Sequence, residues 1–119
     1  MKKIILPGTA VLVLLIVLYL HINGMSGHWY VSYHFFDIIV HFLGGVGIAL
    51  SSYYVIKGPK RMIFITIVAG ILWEIFEAHF NITGWPLHSL GYALDTAKDL
   101  IVDTLGAIAV WIFIKYKNI

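Results

Sequence analysis

The sequence predicts an all-α membrane protein, a bundle of four transmembrane helices with both termini on the cytoplasmic side. Three observations carry this expectation. Hydrophobic residues make up 61% of the 119 and charged residues only 12%, the composition of a membrane protein rather than of a soluble domain. Four apolar stretches, residues 4–22, 34–56, 62–81 and 92–114, each approach or exceed the roughly 20 residues that a helix needs to cross a bilayer. Lys2, Lys3, Lys57, Lys60, Arg61, Lys115 and Lys117 gather at the N-terminus, between the second and third stretches, and at the C-terminus. The positive-inside rule assigns these three places to the cytoplasm. The four stretches occupy most of the chain, so residues 1–119 are expected to form one integral membrane domain without a soluble module, repeat or linker.

The first stretch follows Lys2 and Lys3, and Gly24 and Ser26 beyond it offer a small-residue cleavage site. Its apolar run is longer than the core of a signal peptide, which favours a retained helix. It holds no acidic residue, and His21 is its single ionisable group; the expected role is a scaffold that seals the bundle from lipid. The connections "NGMSGHWYVSY" and "NITGWPLHSLG" contain no Lys, Arg, Asp or Glu, while their Trp29, Tyr30, Tyr33 and Trp85 suit an aromatic belt at the outer interface. Asn81-Ile82-Thr83 matches a glycosylation sequon, a match common by chance. Nothing else points to a eukaryotic secretory protein, and the expected location is a prokaryotic cytoplasmic membrane. Cysteine is absent, which excludes disulfides, thiolate catalysis and cysteine-ligated zinc. The formal charge of +2 is a topology signal and gives no reason to expect nucleic acid as a partner.

All six acidic residues fall within the later three stretches: Asp37 in the second, Glu74 and Glu77 in the third, Asp95, Asp99 and Asp103 in the fourth. The second and fourth helices start outside and the third ends there, so every carboxylate is expected in the outer half of the membrane. A rise of 1.5 Å per residue puts Glu74, His41 and Asp99 about 5–7 Å outward of their span centres, with Glu77, Asp37 and Asp95 further out and Asp103 near the midplane. Residues four apart share a helix face. Asp37 with His41, Glu74 with Glu77, and Asp95 with Asp99 and Asp103 therefore form three polar stripes. Each continues inward as small residues: Gly44, Gly45 and Ala49; Gly70; Gly106 and Ala107. Small residues let membrane helices approach closely, so the three faces are expected to meet in one seam with the acids at its outer end.

Six carboxylates beside one cation, Lys98, cannot all stay ionised in a low-dielectric bundle; protons or a bound cation must compensate them. In the first reading, Asp37, His41, Glu74, Glu77, Asp99 and Asp103 hold a divalent metal, with His41, Glu74 and Asp99 at the centre and the others as further ligands or supporting groups. Helical bundles build carboxylate metal sites in this way. The donor set suits Mn, Fe, Mg or Ca, and Zn through the imidazole; no organic cofactor is expected. A metal with an open position activates water or oxygen, which leads to an enzyme acting on a lipid-like substrate, its catalytic residues unassigned. In the second reading the stripe is a proton or cation pathway. The apolar inner halves of the helices give no route to the cytoplasm, so a homo-oligomer would have to complete it. In the third, the polar groups only hold the helices together. Asp95 and Lys98 extend the polar site, Lys98 either pairing with Asp95 or reaching the headgroups. His79 lies off the face of Glu74 and Glu77 and is expected to snorkel to the interface; His34 and His88 are expected in solvent. Phosphate sites usually add Arg or Lys, and Arg61 lies on the opposite side, leaving Lys98 as the sole candidate.

"DIIVHFLGG" from Asp37, "WEIFE" from Trp73 and "DTAKDLIVDTLGA" from Asp95 together resemble the small multi-helix membrane proteins of the VanZ-like and YjdF-like groups. The resemblance spans roughly residues 34–110. It implies a helical membrane fold with a polar site, and it points to Asp37, His41, Glu74, Glu77, Asp95, Asp99 and Asp103.

Overall fold

The computed structural model describes residues 7–80, 82 and 86–118. Lys2, Lys3, Trp85 and the Asn81-Ile82-Thr83 sequon, apart from Ile82, lie outside the described residues. Four long helices and one short turn of helix make up the described chain: α1 (Pro7–Ser26), α2 (Trp29–Ser32), α3 (Phe36–Val55), α4 (Pro59–Phe80) and α5 (Leu90–Lys117). Helices α1, α3 and α4 are long and apolar enough to cross a membrane. At 28 residues α5 has ample length, but Asp95, Lys98, Asp99 and Asp103 set it apart from the apolar class.

Local chemistry accounts for the helix limits. Pro59 opens α4, where a missing N–H costs nothing and φ is already helical. Ser89 caps α5 by accepting a hydrogen bond from Tyr92 N at 3.1 Å. Lys115 and Lys117 stand in the last turn of α5, where positive charge complements the helix dipole. The chain reverses after α1 through His28, whose φ of 58° is left-handed, and this turn folds α2 back over the end of the bundle that holds Asp37 and Glu77.

Helices α3, α4 and α5 pack mutually, and α1 packs on α3 with the short α2 touching both. The surface is apolar: Leu12, Leu15, Leu72, Ile75, Ile112 and Phe113 are all exposed. The acids and His41 turn inward instead, the distribution expected where hydrocarbon is the solvent. Toward the end of the bundle away from the acids the core is Ala10, Ala49, Leu50, Met62, Ala107, Val110 and Ile114. The closest approach is between α3 and α5. A Cβ on Gly45 would collide with the Asp103 carbonyl, and one on Gly106 with the Phe42 carbonyl. The expected seam of small residues thus forms through Gly45, Ala49, Gly70, Gly106 and Ala107. Gly44 is the exception: nothing lies within 4 Å of a Cβ built on it, because it faces away from α5 into a cavity.

Helix α1, expected as a scaffold, is fastened mainly to α3 and α2. Leu14 rests on Gly47 of α3, and Tyr30 of α2 and Phe36 of α3 rest on Gly24. Its backbone approaches neither α4 nor α5 among the described residues. It reaches α4 through a side chain, the His21 ring standing edge-on to Trp73 with centroids 5.1 Å apart.

Candidate functional site

The polar site is assembled from three helices. In the first turn of α3, the Asp37 carboxylate accepts a hydrogen bond from Lys98 Nζ of α5 at 2.7 Å. Lys98 also donates to Asp95 Oδ1 at 3.3 Å and stands 3.6 Å from Asp99 Oδ1. Of the two roles open to Lys98 in the sequence, it takes pairing, and its shortest partner is Asp37 across the helix interface rather than Asp95 on its own helix.

One turn below Asp37 lies His41, buried at the α3–α5 seam. Its Nδ1 donates to Asp103 Oδ1 at 2.9 Å. Its Nε2 then faces Asp99 Oδ2 at 3.4 Å and Asp37 Oδ1 at 3.5 Å. A carboxylate behind one ring nitrogen is the usual way to orient the other nitrogen toward a ligand. Asp103 can hold this position because Gly70 of α4 leaves room: a Cβ there would meet Asp103 Oδ2.

Helix α4 contributes Glu74 and Glu77, both buried. Glu77 Oε1 accepts from Trp73 Nε1 at 2.8 Å, and Glu74 Oε2 accepts from Thr96 Oγ1 at 3.3 Å. Two buried carboxylate oxygens have no hydrogen-bond partner, Glu74 Oε1 and Asp99 Oδ1, on residues only 4% and 1% exposed. Orphaned carboxylate oxygens in such surroundings are costly.

Two triplets bring their donor atoms within 4.8 Å of one another: Asp37, His41 and Asp99, and Glu74, Glu77 and Asp99. Asp99 belongs to both. The two groups differ in occupancy by the protein's own donors. Lys98 and the imidazole already engage the first, whereas in the second Trp73 and Thr96 each take one oxygen, Glu74 Oε1 stays free, and Asp99 Oδ1 accepts no hydrogen bond but lies 3.6 Å from Lys98 Nζ. Asp103 stands behind His41, and Asp95 stands at the rim with Lys98. His34, His79 and His88 are exposed and take no part in either group.

Two cavities flank the cluster. The outer one, of about 350 Å³, is lined by His21, Tyr30, Asp37, Glu77, Asp95 and Lys98 among others. The other, of about 190 Å³, lies between α1, α3 and α4 and has His41, Glu77 and Asp103 at its polar side. Tyr30 and Glu77 line both. Tyr30 had the pattern of a belt residue but turns inward, its hydroxyl 2.8 Å from His21 Nδ1. Burial, reinforced by the carboxylates of Asp37, Glu77 and Asp99, pushes the Tyr30 phenol up, so it remains a neutral hydroxyl.

Sequence reasoning missed Trp73, Thr96 and Tyr30. Trp73 lies four residues before Glu77 and Thr96 three before Asp99, so helical spacing marked both. Tyr30 carried no such signal, since only the reversal at His28 brings it over the site.

No curated protein and no solved structure matches the chain. A family model described as a predicted membrane protein, DUF2238, matches residues 1–118. The apolar exterior, the inward-facing acids and this match over nearly the whole length agree: the chain belongs to the DUF2238 family of predicted membrane proteins.

Proposed function

We propose that this protein is a four-span membrane protein, N- and C-termini inside, whose buried carboxylates hold a divalent metal ion near the outer face. The observation that carries the reading is Glu74 Oε1, a buried carboxylate oxygen with no hydrogen-bond partner, within a triplet completed by Glu77 and by Asp99, whose Oδ1 also accepts no hydrogen bond and has Lys98 Nζ at 3.6 Å. A divalent cation among these three residues supplies what the protein's own donors leave unsatisfied. Three carboxylates form a hard, all-oxygen set suited to Mg or Mn; His41, held by Asp103 beside Asp99, extends the range to Fe and Zn. The three blocks that resemble VanZ-like and YjdF-like proteins supply this same residue set.

Membrane insertion supports the fourth span. In α5 the groups costly in hydrocarbon are Asp95, Lys98, Asp99 and Asp103; Lys98, Asp99 and Asp103 meet partners on α3 and α4, and Asp95 pairs with Lys98 on α5 itself, rather than with lipid. A metal with an open coordination position polarises a substrate oxygen or activates water. Placed beside an apolar cavity, such a centre fits chemistry on a lipid-like substrate. The proton-pathway reading gains no support, because inward of Asp103 the seam closes on Ala49, Met62 and Ala107.

The test is metal content by mass spectrometry of the detergent-purified protein, alone and after incubation with Mg, Mn, Fe and Zn. A near-stoichiometric ion lost in Glu74→Gln and Asp99→Asn is the expected result. Wild-type protein that takes up none of the four overturns the proposal.

A further inference from the structure

The cavity of about 190 Å³ between α1, α3 and α4 has a two-part lining. Leu14 and Val17 of α1, Ile48 of α3 and Ala69 of α4 make its apolar part; His41, Glu77 and Asp103 make its polar side. Most of its walls belong to three helices each long and apolar enough to cross a membrane, with Tyr30 of α2 and Asp103 of α5 completing the lining. The backbone of α1 does not approach α4; the His21 and Trp73 rings meet between the two helices, and the space lies where their backbones stand apart. The flanking surface carries exposed Leu15, Leu18, Ile71 and Leu72, so the cavity continues the lipid-facing exterior. Hydrocarbon is the medium that meets it, and the bilayer supplies chains rather than water at this depth. Gly44 keeps the cavity open: it lines the space, and a Cβ there meets nothing within 4 Å, unlike Gly45 beside it.

We infer that this cavity receives one hydrocarbon chain of a membrane lipid, entering sideways between α1 and α4, with the lipid's polar part directed to Glu77 and His41. Tyr30 and Glu77 line both this cavity and the outer one, so the head of such a lipid reaches the polar vestibule while its chain stays in the apolar slot. An amphiphile satisfies both parts of the lining; a soluble polar substrate leaves the apolar part bare. The assignment of this lipid as substrate rests on the metal-site reading above, but occupation of the cavity does not.

The test uses full-length protein in phosphatidylcholine vesicles in which one acyl chain carries a photoactivatable diazirine, with labelled positions mapped by mass spectrometry and metal content measured on the same samples. In the wild type, label is expected at Val17, Ile48 or Ala69 as well as on the exposed Leu72 and Ile75. Gly44→Leu and Ala69→Leu, which fill the slot from facing helices, are expected to lose the cavity label and keep both the surface label and the metal. Two variants guard against one failing to fold. Label confined to exposed side chains in the wild type, or cavity label unchanged in two folded variants, overturns the inference. Metal binding without cavity label overturns this inference alone; cavity label without metal overturns only the metal reading.

Discussion

Asp103 Oδ1 holds His41 Nδ1 at 2.9 Å across the seam between α3 and α5, at the level where Gly45 lies against the Asp103 carbonyl. One residue thus sets both the orientation of the imidazole and the closest helix contact. Asp103→Ala should leave the buried ring nitrogen unpaired and cost about 1–3 kcal/mol, read as a lower thermal midpoint in detergent. Asp103→Asn keeps an acceptor and should recover most of that loss.

The two adjacent glycines of α3 should respond oppositely to the same change. A leucine at Gly45 must push α5 away, an overpacking expected to cost about 1–3 kcal/mol or more. At Gly44 a leucine enters open space and should leave thermal stability near wild type. Equal destabilisation by the two substitutions would contradict the face assignment.

Asp99 is shared by both donor triplets while Asp37 belongs to one. If the ion sits among Glu74, Glu77 and Asp99, then Glu74→Gln, Glu77→Gln and Asp99→Asn should each abolish metal retention through size-exclusion chromatography. Asp37→Asn should retain it. The reverse ranking of Asp37 and Glu77 would move the ion to the triplet that contains His41.

Lys98 Nζ, 3.6 Å from Asp99 Oδ1, competes with any bound cation. Its replacement in Lys98→Met should tighten metal binding by on the order of tenfold, about 1.4 kcal/mol, measurable by titration calorimetry. The same variant should lower stability, since Asp37 loses its 2.7 Å partner.

Orientation can be tested directly because the chain has no cysteine. Single replacements His34→Cys and Lys57→Cys, both at exposed positions, report the two ends of α3. A membrane-impermeant maleimide should label the first in intact cells and the second only after permeabilisation. The opposite pattern would invert the proposed topology.

Much of the helical layout was legible in the sequence. Among the described residues, expected stretches and observed helices agree within a few residues, and α4 and α5 begin at local signals, Pro59 and the Ser89 cap. Four-residue spacing likewise grouped Asp37 with His41 and Asp99 with Asp103. The sequence was less informative about azimuth. Lipid is as apolar as the core of a membrane bundle, so a helix that is hydrophobic all round does not mark its buried face. For that reason the sequence groups Gly44 with Gly45, whereas only Gly45 meets α5.

By itself, then, the sequence determined the membrane-like composition, the helices and which residues could share a polar face, because these follow from composition, rise and periodicity. Only the tertiary structure decided that Lys98 reaches first to Asp37, that Asp99 joins two triplets, that Tyr30 turns inward, and that the backbones of α1 and α4 stand apart. Each depends on how helices rotate and separate when they pack, a matter of contacts between residues distant in the chain.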